Sequence, residues 1–403
     1  MRQELIKAMK TTIGEITRLP RKEVRIFHHN DSDGLSSGAI LTKAFERAGF
    51  KIDRFCLEKP YPALLQRVFH QKGGLIVFAD FAGRIAPVLS DLNKGRNLTL
   101  ILDHHVAEAS TDPKVRNLDP DLFGLKGDQD ISGSTTCYLF AKTLDAANSD
   151  LAHIATIGAV GDEFFVDGCL AGENRSAALE AAYQGSIKIQ KHEKGERYFL
   201  NTPSGQVACD EFGAYLDTLG AAGFYQKGPD MGVKVCLEGT TPESDRMLEK
   251  LKTVQTKAFE KEIARIKSGA LNKTTHIQWF HVQNRFSPMG VKMIGIFCDT
   301  IKNMDFIDPR RYLAGFQIIP NKIPGFGPIT LNDVKISMRV PARMESYIRA
   351  GRKMGLDILL PQATDKLGGF SDACHSLTAA TTVAIGKEKD LINEMEHILE
   401  AAS

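Results

Sequence analysis

Three short apolar runs, each ending on carboxylate or imidazole side chains, constrain this chain more than any other feature. Glu23-Val24-Arg25-Ile26-Phe27 leads into His28-His29-Asn30-Asp31-Ser32-Asp33-Gly34. The run 74–79 leads into Asp80, and the run 98–102 into Asp103-His104-His105. Short, nearly continuous apolar segments separated by helical patterns predict strands of a parallel sheet buried on both faces. A helix is expected over 35–49, closed by Gly49, and further helices over 134–147, with Ser134 as N-cap, and over 151–160. In open α/β sheets ligands bind beyond the carboxyl ends of the strands. Three strands deliver acids and histidines there, and Gly161-Asp162-Glu163 follows the helix at 151–160. Four segments far apart in sequence are thus expected to converge.

The rest of the chain predicts a second domain. Helical pieces at 173–191 and 207–220, with glycine-rich joints around 220–232, complete the first one. The longest helical pattern covers 242–268, with Pro242, Glu243 and Asp245 suited to its first turn and Gly269 to its end. A long polar helix is a natural connector. The expected division is therefore 1–241, a connecting helix at 242–269, and a smaller α/β domain at 270–403. In that domain β-like runs are read at 276–283, 291–298, 312–319 and 334–340. A glycine pair, Gly368-Gly369, precedes a helical pattern at 372–384, and 386–402 closes the chain.

Composition excludes several classes. No stretch approaches the 18 apolar residues of a membrane span. The start is an amphipathic pattern with acids, not a signal peptide. With 51 basic and 49 acidic residues, a wide basic groove for long nucleic acid is not expected, which leaves room only for a local patch. The seven scattered cysteines contain no C-x-x-C pair. Free, mostly buried thiols in a reducing cytoplasm fit them, and a thiolate zinc site does not.

The residue types suit a pair of hard-to-borderline metal ions. Carboxylates with a minority of imidazoles favour Mn²⁺ or Mg²⁺, and the imidazoles tilt the choice to Mn²⁺. Two such ions about 3.5–4 Å apart, bridged by a carboxylate, hold a hydroxide and stabilise both oxygens of a phosphoryl transfer. Each signal alone also has a plainer reading. Asp31 to Gly34 makes a turn with an Asx cap, Asp80 a strand-end turn, His104-His105 a surface or core pair, and Asp162 a helix cap. Gly133-Ser134-Thr135-Thr136 reads as an ordinary helix start, Gly325-Phe326-Gly327-Pro328 as a loop, and Trp279 as a core or interface residue.

Taken together, His29-Asn30-Asp31-Ser32-Asp33-Gly34, Asp80, Asp103-His104-His105 and Asp162 resemble the motifs of the DHH phosphoesterases. That family includes RecJ-type exonucleases, nano-RNases, exopolyphosphatases and family II pyrophosphatases. Lys335-Ile336-Ser337-Met338-Arg339 and Gly368-Gly369 resemble the DHHA1 domain that accompanies it. The resemblance implies a parallel-sheet DHH domain joined by a long helix to a smaller α/β DHHA1 domain, with an active-site cleft between them. It implies that His29 and Asp31 hold one Mn²⁺ (Mg²⁺ being the alternative), that Asp33 and His104 hold the other, and that Asp80 and Asp162 touch or bridge both. His105 then sits beside the site against the phosphate or leaving group, and Asp103 orients a histidine. Arg339 grips a substrate phosphate, and the Gly368-Gly369 backbone approaches a phosphate or base ahead of a helix N-terminus. Phe370 stands where the family has a histidine, with His375 five residues later. Phe370 is read as a base-stacking or a core residue, His375 as an ordinary helix residue, and His28 as structural.

The leading expectation is a Mn²⁺-dependent phosphodiesterase acting on short or single-stranded nucleic acid, oligonucleotides or dinucleotides, with a homodimer supported by apolar surface near the C-terminal helix. The alternatives are a phosphoanhydride hydrolase acting on pyrophosphate or polyphosphate, and a nucleotide-binding protein that has lost catalysis.

Overall fold

In the computed structural model, which describes residues 1–203 and 205–402, the chain divides into two compact units, Met1–Glu249 and Lys250–Ser403.

The first unit begins with α1 (Arg2–Thr17) and is built on five strands: β1 (Glu23–His28), β2 (Lys51–Cys56), β3 (Leu75–Ala79), β4 (Leu98–Leu102) and β5 (Val115–Asn117). They lie in the order β2-β1-β3-β4-β5, and every pairing is parallel. All residues of β3 and β4 are buried, as a sheet covered on both faces requires. The helices α2 (Ser32–Arg47), α3 (Pro62–Phe69) and α4 (Ala86–Asn93) make the crossovers. Aromatic side chains fill the core: Phe27 stacks on both Phe55 and Phe78, with ring centroids 5.2 and 5.3 Å apart. β2 escapes the sequence reading because Lys51, Asp53 and Arg54 interrupt its apolar residues at a sheet edge.

The helices α5 (Gly133–Leu144) and α6 (Ala152–Gly161) pack against α2. The residue capping α5 is Ser132, whose hydroxyl accepts the Thr135 N–H, and not Ser134. Beyond α6 the expected helical completion is broken by β structure. A two-strand hairpin, β6 (Phe165–Val166) and β7 (Cys169–Leu170), precedes α7 (Gly172–Tyr183). The helix expected over 173–191 stops at Gln184, ahead of Gly185 with φ of 80°. The chain then forms a three-stranded antiparallel sheet of β8 (Ile187–His192), β9 (Gly195–Thr202) and β10 (Gly205–Ala208). The helices α8 (Cys209–Ala221) and α9 (Gly228–Glu238) follow. The boundary between the units falls within the long helix α10 (Pro242–Arg265).

The second unit holds β11 (Asn272–Lys273), β12 (Ile277–Gln283), α11 (Met293–Ile301) and β13 (Tyr312–Ile318). A short hairpin follows, β14 (Lys322–Ile323) and β15 (Gly327–Pro328), and then β16 (Asp333–Arg339), α12 (Ala342–Arg349) and α13 (Leu356–Lys366). β17 (Phe370–Cys374), β18 (Thr378–Ala384) and α14 (Glu388–Ala401) complete it. Six of these strands form one mixed sheet, β11-β12-β13-β16-β18-β17. Alternate residues of β13 and β16 (Ala314, Phe316, Ile336 and Met338) join one apolar core with Leu359, Leu360, Leu391 and Met395 from α13 and α14.

Two expectations fail here. The run 291–298 is not a strand but a turn leading into α11, whose buried residues Met293, Ile294, Phe297, Cys298 and Ile301 recur at three- and four-residue spacing. The segment 372–384 is not a helix but parts of β17 and β18, where Thr381, Thr382 and Val383 suit a pleated surface. Gly368 and Gly369 therefore end a helix instead of preceding one. The Gly369 N–H bonds the Thr364 carbonyl and the Gly368 N–H that of Asp365, with Gly368 at φ of 67°. This is a Schellman C-cap, and both N–H groups are committed to it.

Candidate metal centre

Strand register sets the site. His28 lies beside Ala79, and Ala79 beside Leu102, on adjacent strands. The next residues, His29, Asp80 and Asp103, therefore form a row across neighbouring strands about 4.8 Å apart. The ladder continues one step into the row: the His29 N–H bonds the Ala79 carbonyl at 3.3 Å and the Asp80 N–H that of Leu102 at 2.9 Å. The row crosses the point between β1 and β3 where the strand order reverses, which is where such sheets place ligands. Asp80 adopts φ of 65°, a left-handed conformation that aspartate tolerates better than most residues.

The loop after β1 folds into the same place. Asp31 caps α2 by accepting the Gly34 N–H at 3.0 Å with Oδ1, while Oδ2 lies 2.7 Å from His29 Nδ1. The helix-cap role of Asp31 thus occupies Oδ1 and places Oδ2 beside His29. Gly34 must be glycine, since a Cβ there would come within 2.5 Å of the His29 backbone. Asp33 is fully buried and accepts from the first turn of α5, the Gly133 N–H at 2.7 Å and the Ser134 N–H at 3.0 Å. That helix start favours an anion.

His104 is oriented from behind. Its Nδ1 donates to the Gly127 carbonyl at 2.6 Å, which leaves Nε2 with its lone pair facing the carboxylates. Nε2 lies 3.3 Å from Asp80 Oδ1 and 4.0 Å from Asp33 Oδ2. Asp103 is spent on positioning. One oxygen takes the His104 N–H at 2.8 Å and His105 Nδ1 at 2.7 Å, and the other takes the Gly83 N–H at 2.8 Å. His105 thus presents Nε2 on a partly exposed face.

Two groups of ligand atoms emerge, each within 4.8 Å: His29, Asp31 and Asp80, and Asp33, His104 and Asp162. A third group joins Asp80 to Asp103, His104 and His105 and so overlaps both. Burial, and then the charges of Asp33, Asp31, Asp162 and Asp103, push the Asp80 carboxyl well above the usual range. Burial opposes a charge on His104, but Asp33, Asp103 and Asp162 outweigh it and raise its pKa. For Asp103, burial is outweighed by the charge and hydrogen bond of His105, by His104 and by the Gly83 N–H, so its pKa is lowered.

The chemistry of the donor set fits a cation. Asp80 Oδ1 and His104 Nε2 are buried, face each other, and have no hydrogen-bond partner. Two acceptor atoms in that position call for a proton or a metal ion between them. All eight first-unit residues expected at the site, Asp103 and His105 included, are gathered here. His28 is not part of it: burial first, and then the Arg54 charge, lower its pKa to about 3, and its Nδ1 bonds the His29 carbonyl. No pattern in the sequence pointed to the Gly127 carbonyl or to Asp217, whose side chain accepts the Ser32 N–H at 2.8 Å.

The remaining residues expected at the site belong to the second unit. Arg339 ends β16, with Nε bonded to Asp299 at 2.7 Å and Nη1 to the Met338 carbonyl. Phe370 is half-buried in β17. His375 lies in the turn before β18, not in a helix. Trp279 of β12 packs edge-on against Phe316 of β13.

No family model matches the chain. Among curated proteins, an uncharacterised protein of Methanocaldococcus jannaschii is 29 % identical over 173 residues, 41 % of this chain and 38 % of that protein. The chain is thus matched to well under half of that relative's length. Solved structures agree over nearly the whole chain. RecJ of Thermus thermophilus in complex with Mn²⁺ superposes with a TM-score of 0.62 at 14 % identity, over 98 % of this chain and 55 % of that one. The same RecJ is also known in complex with Mg²⁺. A DHH domain described as belonging to a member of a ribosomal-protein family gives 0.62 at 15 % identity, over 98 % and 92 % of the two chains. CDC45 from Entamoeba histolytica gives 0.54 at 10 % identity, over 99 % and 98 %. At these identities the likeness establishes the fold: this chain has the two-part α/β fold of RecJ and DHH-domain proteins.

Proposed function

We propose that the protein is a two-metal phosphodiesterase that hydrolyses short or single-stranded nucleic acid. The facing pair of Asp80 Oδ1 and His104 Nε2, buried without partners in a cage of three further carboxylates and His29, carries this reading. His29, Asp31 and Asp80 would hold one divalent ion, and Asp33, His104 and Asp162 the other, with Asp80 shared. Mn²⁺ suits the mixed imidazole and carboxylate donors, and Mg²⁺ is the alternative. Such ions, when bound, supply an activated water and neutralise charge on the phosphate. The RecJ structures with Mn²⁺ and Mg²⁺ support the choice of ions through the shared fold.

The protein's own groups do the rest. The α5 start holds Asp33 in place, and Gly127 fixes the His104 tautomer. Asp103 aims His105, whose raised pKa equips it to donate a proton toward a phosphate or leaving-group oxygen. Burial and His104 oppose that charge, and Asp103 and Asp162 outweigh them. Arg339 is the second unit's proposed phosphate contact, because a guanidinium matches phosphate geometry. A substrate would share it with Asp299.

The test is a Mn²⁺-dependent hydrolysis panel on a dinucleotide, a short RNA, a long single-stranded DNA and pyrophosphate, with D80A as control. Turnover of nucleic acid that disappears in D80A is expected. Release from pyrophosphate alone would move the assignment to a phosphoanhydride hydrolase. Nucleotide binding with no turnover would make the protein a binding module.

A further inference from the structure

The β6–β7 hairpin and the β8–β9 turn form a small β finger, absent from the sequence reading, that starts three residues after Asp162. It leaves apolar side chains in solvent: Phe165 is 40 % exposed and Val166 37 %. Three residues of chain span at most about 11 Å, so Phe165 stands close to Asp162 of the proposed metal cage. The intervening Phe164 packs edge-on against His104, with ring centroids 5.1 Å apart.

The finger is braced. The Glu196 N–H bonds the Gly168 carbonyl at 2.9 Å, and the Leu170 N–H bonds the Tyr198 hydroxyl oxygen at 3.0 Å. The Tyr198 hydroxyl in turn donates to Glu196, which is clamped by Arg175 of α7. Phe165 lies with its ring centroid 6.4 Å from that of Tyr198. An exposed aromatic on a rigid mount loses little entropy when a flat partner stacks on it.

The turn tied to this hairpin carries two lysines. Lys191 and Lys194 are exposed, with the exposed acids Glu193 between them and Asp167 at the tip of the hairpin. Glu196, opposite Lys191 in the β8–β9 register, is taken up by Arg175. An aromatic platform with adjacent lysines is the combination that binds single strands without base preference, stacking a base and tracking the backbone.

We infer that this finger is a nucleic-acid contact: Phe165 stacks on a base of the substrate strand, and Lys191 and Lys194 meet its phosphates. The inference rests on the nucleic-acid reading above and extends the substrate beyond the nucleotide at the metals. It is tested by binding of a labelled dodecameric oligo-dT to the full-length protein in EDTA, so that no turnover interferes. F165A should weaken binding roughly 5- to 150-fold, and F165W should retain it. The K191A/K194A double variant should lower the slope of log affinity against log salt by about 1.4, from about 0.7 per phosphate on a single strand. Unchanged melting temperatures establish that the variants are folded. If F165A and the double variant bind like the wild type while the wild type cleaves a dinucleotide with Mn²⁺, the finger has no such role and the catalytic reading stands. If the wild type binds no strand and cleaves only pyrophosphate, both fall.

Discussion

Asp80 in the first unit and Glu396 in the second are both buried carboxylates, 2 % and 8 % exposed, and they are built for opposite ends. Glu396 of α14 is fully engaged. One oxygen accepts the His276 and Ile277 N–H groups, at 2.9 and 3.0 Å, and the Thr274 hydroxyl, and the other meets His276 Nδ1 at 2.8 Å. Burial works against its charge, but these hydrogen bonds win and lower its pKa. Asp80 has carboxylates for neighbours and an oxygen with no hydrogen-bond partner. Glu396 ties a helix to a sheet. Asp80 is held by the fold against its own electrostatics, which is what the proposed metal site asks of it.

The comparison breaks first at Asp80. D80N should reduce Mn²⁺-dependent hydrolysis to background while leaving the metal-free protein as stable or more so, because it removes a buried acid whose ionisation burial and its carboxylate neighbours oppose. A fall in the melting temperature in EDTA would show that Asp80 supports the fold as Glu396 does. Wild-type protein should gain about 2.7 kcal/mol from an ion at a hundredfold excess over its Kd. For a unit of this size that is about 5–11 °C in Tm, and D80N should lose most of it.

Smaller effects sharpen the contrast. D103N keeps the shape of the residue that aims His105 and receives the His104 N–H, so a loss of about 10- to 100-fold in activity or metal affinity is expected. E396A leaves the His276 and Ile277 N–H groups without their acceptor, and should cost about 1–3 kcal/mol in chemical denaturation. The smallest effect is in pH. Because the folded pKa of Glu396 is depressed, its stabilisation is present above the ordinary value of 4.5 and is lost as pH falls through the lower folded value. E396Q should therefore flatten the acid side of the stability curve below about 4.5, and an unchanged acid slope would remove Glu396 from the account.

The legible and illegible parts of this chain differ by physics. β3 and β4 announce themselves because both faces are buried and each run is apolar throughout. The acids at their ends are equally plain, since Asp80 and Asp103 directly follow the strands. The edge strand β2 and the strands β8 and β9 carry charged, half-exposed residues and leave no such trace. The segment 291–298 misleads because an apolar run this short suits a buried helix as well as a strand, and its partners in β13 and β16 come later in the chain. Gly368 and Gly369 are visible as glycines, but only the bonds to Thr364 and Asp365 reveal a helix end. The Gly127 carbonyl behind His104 is a backbone group brought by tertiary folding, which no side-chain pattern encodes.

Whether the row beyond β1, β3 and β4 is a cage for divalent ions is decided by calorimetric titration of the metal-free protein with Mn²⁺. Two ions per chain are expected in the wild type, with D80N losing at least one. Wild-type protein that takes up no Mn²⁺ or Mg²⁺, or D80N that binds both ions as the wild type does, would contradict it.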